Sequence, residues 1–123
     1  MSTHVSYSMV NHEIVTTDEK GRVIWSGAPL DKQVEDVRQI PGSDDALVLL
    51  DYMGEPAGPC RNLVRIQADG QIVWRAELPS SSNTEAYVAV DIDGGLLVAK
   101  SWTGYRVILD ELTGKIRESN YTK

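Results

Sequence analysis

The chain is poor in the residues that most often carry chemistry. Its 123 residues include one cysteine, Cys60, and two histidines, His4 and His12, both in a weakly patterned N-terminal arm. A lone cysteine excludes an intramolecular disulfide and is what a reducing compartment leads one to expect. Two imidazoles and one thiol are too few for a structural zinc site unless carboxylates or a second chain contribute. No nucleophile elbow, H-E-x-x-H, phosphate-binding loop or G-x-G-x-x-G turn is present. Long apolar runs are also missing: no stretch approaches transmembrane length, and the N-terminus lacks the basic-then-apolar pattern of a secretory signal. Basic residues are in deficit, 12 against 18 acidic for a net charge of −6, which argues against partners recognised through phosphate, whether nucleic acid or an anionic membrane. The expected setting is the cytoplasm, and Met1-Ser2 is the start expected of a complete reading frame.

Helical periodicity is absent as well. Apolar residues alternate or fall in short β-branched runs at 12–18, 21–27, 46–53, 62–67, 71–78, 86–92, 96–102 and 105–111, each of which predicts a strand. Turn signals separate them: Lys20-Gly21, Pro41-Gly42, Asp69-Gly70, Asp93-Gly94-Gly95 and Thr113-Gly114. The one helix candidate, residues 31–40, reads better as a loop leading into a strand that ends at Pro41-Gly42. Residues 53–62, with two prolines and two glycines, and residues 79–85 read as loops. The whole of 1–123 is expected to form a single all-β domain.

What the chain does have is a repeat. Gly21 and Gly70 lie 49 residues apart, as do Trp25 and Trp74, so each tryptophan follows its glycine by four. Gly114 comes 44 residues after Gly70 and opens a third copy, in which Glu118 stands where the first two copies have tryptophan. Leu47-Val48 aligns with Leu97-Val98 between the glycines. A period in the forties with about four strands per unit is the signature of propeller blades, which stack because one sheet cannot cover its own two faces. The units are expected at about 1–30, 31–79 and 80–123, with the tryptophans sealing sheet against sheet.

The segments "ADGQIVW" and "LDELTGKI" resemble the repeat of quinoprotein-type (PQQ-like) β-propellers, and the resemblance extends over roughly residues 12–118. It implies about three propeller-like blades of short antiparallel strands. The alternative is a β-sandwich or barrel. The first unit retains at most three strands, and closed propellers usually need at least about four blades. Three stacked sheets would leave apolar faces wet at both ends, so the expectation is a homo-oligomer, with a dimer making a six-bladed ring favoured over other forms.

No catalytic residue, cofactor or metal is assigned. "DIDGG" at 91–95 has the look of half a calcium loop, but a strand follows it and a hairpin turn is the expected reading. Trp102, Tyr105, Tyr52 and Tyr87 are the aromatic candidates for a ligand pocket, although Tyr52 and Trp102 occupy near-equivalent repeat positions and a core or inter-blade role is expected first. Trp102, Tyr105, Tyr52 and Glu118 are therefore the candidate binding or interface residues. The expected function is a non-enzymatic interaction module, self-associating and able to take a protein or small-molecule ligand. The alternative is a carboxylate-dependent enzyme acting on a carbohydrate, drawing on Asp51, Asp91, Asp93 and Asp110.

Overall fold

The computed structural model describes residues 4–52 and 59–122. The proline-containing segment 53–58, expected to be a loop, lies outside the described residues. The described chain is all-β and forms three antiparallel sheets. The first holds β1 (Val5–Val10), β2 (Glu13–Asp18) and β3 (Val23–Gly27). The second holds β4 (Val34–Gln39), β5 (Ala46–Leu50), β6 (Leu63–Ile66) and β7 (Ile72–Arg75). The third holds β8 (Tyr87–Asp93), β9 (Leu96–Ser101), β10 (Tyr105–Leu109) and β11 (Ile116–Tyr121). Within each sheet sequence neighbours are spatial neighbours, as short hairpin connections require. Residues 31–40 carry no α-helix: a single 3-10 turn at Pro29–Asp31 precedes β4.

The sheets stack face to face with the second in the middle, and β5 shows why. All five of its residues, Ala46–Leu50, are buried. Successive strand side chains point to opposite faces. Ala46, Val48 and Leu50 therefore join Ile14, Val34, Val64 and Ile66 in a core against the first sheet. Leu47 and Leu49 join Leu63, Tyr87, Val90, Leu97, Ala99, Val107 and Leu109 in a core against the third. A strand buried on both faces is uniformly apolar, whereas β2 and β9, each with one face turned away from the middle sheet, mix burial with exposure.

The tryptophans lock the stack at its outer strands. Trp25 of the first sheet lies on Gly70 in the β6–β7 turn of the second, and Trp74 of the second lies on Gly114 in the β10–β11 turn of the third. A methyl group on Gly70 would overlap the Trp25 ring, and one on Gly114 would fall 2.5 Å from Trp74 Cε3. Both glycines also have positive φ, +87° and +74°. Glycine is therefore required twice over, for the turn and for the close approach. The second contact is reinforced by polar bonds: Trp74 Nε1 donates to the Glu111 carbonyl at 2.8 Å, and Arg65 Nη1 donates to the same oxygen at 2.6 Å.

The two end faces are less apolar than expected for a bare sheet. Cross-strand register places Asp91, Val98, Ile108 and Glu118 in one row on the far face of the third sheet, with Lys100, Arg106 and Asn120 in the next. The far face of the first sheet carries Ser8, Val15 and Ser26 in one row, and Ser6, Thr17 and Val23 in another. Both outer faces are thus mixed, with polar groups interleaved among apolar ones such as Val10, Val23 and Leu96.

Candidate functional site

Two of the four candidate residues meet. Tyr52, just after β5, and Trp102, in the β9–β10 turn, belong to different sheets, and their ring centroids lie 6.2 Å apart at an interplanar angle of 52°. The two positions become neighbours where the second sheet stacks on the third. Trp102 is 57% exposed, so much of its ring faces solvent. Tyr52, but not Trp102, also lines a cavity of about 280 Å³ with Glu35, Leu49, Leu50, Asp51, Tyr87 and Val88. It presents an aromatic and aliphatic wall together with the carboxylates of Glu35 and Asp51.

The pocket wall is fixed by buried polar contacts. Tyr87 is fully buried and donates its hydroxyl to the Glu77 carbonyl at 2.5 Å; burial, then the nearby Glu85 and Glu77 charges, hold its pKa well above the ordinary tyrosine value. Asn62, also buried, ties the sheets by donating to the Leu50 and Tyr87 carbonyls and accepting from the Tyr87 N–H, all at 2.8 Å. Glu85 is 1% exposed and accepts from Ser80 Oγ at 2.5 Å and Thr103 Oγ1 at 2.6 Å. Burial pushes its pKa up most strongly, yet the hydrogen bonds from Ser80, Thr103 and Ser101 together outweigh burial and leave it below the usual glutamate value. Glu85 thereby clamps the turn bearing Trp102 to the crossover from the second sheet. Cys60 is buried in the same region, where desolvation raises its thiol pKa, the opposite of an activated nucleophile.

The other two candidates lie elsewhere. Tyr105 packs partly into the core against the third sheet and edge-on to Tyr121, with centroids 5.3 Å apart. Glu118 sits exposed on the far face of that sheet, paired in register with Ile108.

The four carboxylates of the enzyme reading do not converge. Asp51 lines the aromatic pocket, whereas Asp91 and Asp93 line a separate cavity of about 470 Å³ with Arg38, Lys100 and Arg106. An Asp91 oxygen there faces Arg38 Nη1 at 3.4 Å and also accepts from the Ile92 N–H. Asp110 accepts from the backbone N–H groups of Leu112 and Thr113, and the Leu112 bond leads in holding its carboxyl below the usual aspartate range. Gly94-Gly95 form the turn between β8, which ends at Asp93, and β9. Among the described residues no three His, Cys, Asp or Glu side chains gather as a metal site would need, and no helix is long and apolar enough to cross a membrane.

Sequence reading missed Glu85 and Arg65. A signal existed for Arg65, the one charge inside the otherwise apolar "NLVRI". It pairs with Asp45 at 2.9 Å while reaching across to Glu111. For Glu85 the only hint was the run of hydroxyls before it.

No curated protein matches the chain. Solved structures do. The computationally designed Ika4 protein matches with a TM-score of 0.68 at 15% identity, over 100% of this chain and 70% of that one. The computationally designed Ika8 protein matches with a TM-score of 0.65 at 16% identity, over 100% of this chain and 35% of that one. BamB from Moraxella catarrhalis matches with a TM-score of 0.58 at 16% identity, over 99% of this chain and 37% of that one, so the chain spans about a third of BamB and of Ika8. Together with the three sheets, these likenesses make the fold propeller-like. In sequence, residues 26–121 match the family described as "Domain of unknown function (DUF7957)", and the chain belongs to that family.

Proposed function

We propose that the chain is a non-catalytic interaction module, an open propeller segment that associates with a second copy of itself and holds a basic side chain of a protein partner at the Tyr52–Trp102 pocket. The observation that carries the binding half is the exposed Trp102 ring beside Tyr52, next to a cavity walled by Glu35 and Asp51. An aromatic face attracts a cation by about 0.5–2 kcal/mol, more as the contact is desolvated, and the neighbouring Glu35 carboxylate adds to that attraction. The net charge of −6 favours the same sign of partner. Self-association is supported by the two end sheets, each of which has one face with no sheet stacked on it. The setting that accompanies this reading is cytoplasmic, supported by the single buried cysteine.

Calorimetric titration with an arginine-containing tetrapeptide and its glutamate counterpart tests the pocket. The arginine peptide should bind and the glutamate peptide should not. Trp102→Ala should weaken the arginine peptide by about fivefold to thirtyfold, the equivalent of about 1–2 kcal/mol. Equal binding of the two peptides, no binding of either, or an unchanged affinity in Trp102→Ala would overturn the pocket assignment.

A further inference from the structure

Two observed contacts obey one rule. The residue four places after a turn glycine lies on the turn glycine of the next sheet: Trp25 on Gly70, then Trp74 on Gly114. At the ends of the chain each half of this rule is left open. Gly21, at φ +80°, has nothing within 4 Å of where a Cβ would stand. Glu118, the residue four places after Gly114, is exposed on the far face of the third sheet with no further sheet to meet.

The residues around the open glycine differ from those at the filled ones. Asp69 and Gln71 flank Gly70, and Thr113 and Lys115 flank Gly114, whereas Gly21 lies between Lys20 and Arg22. Two acids are also nearby, but both are engaged. Asp18 accepts from the backbone N–H groups of Lys20 and Arg22 and faces the Arg22 guanidinium at 3.7 Å, and Glu19 faces His4 Nδ1 at 3.3 Å. A tryptophan at position 118 would leave an indole in water on the separate chain, whereas a glutamate is at ease there and matches a turn with a cation on each side.

We infer that a second copy of this chain docks head to tail, with Glu118 of one copy seated on the Gly21 turn of the other between Lys20 and Arg22. The inference rests on the self-association proposed above and names the contact that makes it. It continues the stacking already present between the three sheets. Val10, Val23 and Ile24 on the first sheet and Leu96 on the third are exposed apolar side chains at the faces or edges that such a contact would bring together. A two-fold axis would form the contact twice. Because the paired groups are charged and near the surface, association should weaken as salt rises.

Charge reversal and rescue test the contact, read as the dimer dissociation constant by sedimentation equilibrium, with circular dichroism reporting that each variant remains folded. Glu118→Lys alone should weaken the dimer, and so should Lys20→Glu with Arg22→Glu, each by about tenfold or more per contact. The three substitutions combined should recover most of the loss, because the pairing returns with its sign reversed. A dimer that persists unchanged in the variants, or is weakened with no recovery in the combination, overturns the contact while leaving self-association standing. A wild-type chain that is monomeric throughout overturns both.

Discussion

At the residue scale, the repeated glycines are not equivalent, although a sequence alignment makes them look so. All three sit in turns at positive φ, where an alanine costs about 1–2 kcal/mol. Gly70 and Gly114 carry a tryptophan ring as well, and Gly21 does not. Gly21→Ala should therefore cost about 1–2 kcal/mol, and Gly70→Ala or Gly114→Ala about 1–3 kcal/mol more from overpacking. Urea unfolding of the three variants checks the difference, and equal losses would contradict the stacking role.

Glu85 makes a second residue-scale test, with a definite sign. In the unfolded chain it titrates at the ordinary value of 4.5, and in the fold it titrates lower, so the unfolded state takes up the proton first as the pH falls. Its charged form thus stabilises the fold fully above 4.5, and that contribution is lost as the pH drops through the folded-state value. Glu85→Gln should cost about 1–3 kcal/mol at neutral pH, because its hydroxyl donors lose their charged acceptor. The gap from wild type should narrow as the pH falls below 4.5, which denaturant midpoints at neutral pH and through the acid range will reveal.

At the element scale, most of the architecture was legible because strand patterns are local. The strand at 46–53 was legible from its apolar run, and the structure adds that its residues Ala46–Leu50 are buried on both faces at the middle of the stack. Leu47→Ala should cost about 2–5 kcal/mol, since its side chain fills the core between the second and third sheets. Leu96, on the neighbouring β9 but 46% exposed, should tolerate the same change within about 1 kcal/mol. Thermal unfolding of the two variants separates them.

The candidate site was only half legible. Repeat alignment placed Tyr52 and Trp102 at matching positions, and the stacking turned that match into a contact. Nothing local indicated that Glu85 would reach the Trp102 turn, or that Arg65 would bond a carbonyl 46 residues away, because those contacts depend on how one sheet sits on the next.

At the scale of the whole molecule, the described residues form three sheets stacked through two cores. A closed ring satisfies its end sheets by joining the last to the first, and this chain has both ends open. The polar character of the end faces changes how closure can work. Polar groups and exposed apolar side chains share those faces, so the association proposed above would draw on charge placement and the vacant glycine turn as well as on apolar contact. That kind of interface is specific and salt-labile.

The most direct measurement is the mass of the wild-type chain by sedimentation equilibrium at tens of micromolar, at salt concentrations from about 0.05 M to about 0.5 M, a range over which exposed charge pairs become screened. A species of twice the 13.6 kDa of one chain is expected at low salt, shifting toward the single chain as salt rises. A single chain at every concentration and salt, or a dimer indifferent to salt, would contradict that expectation.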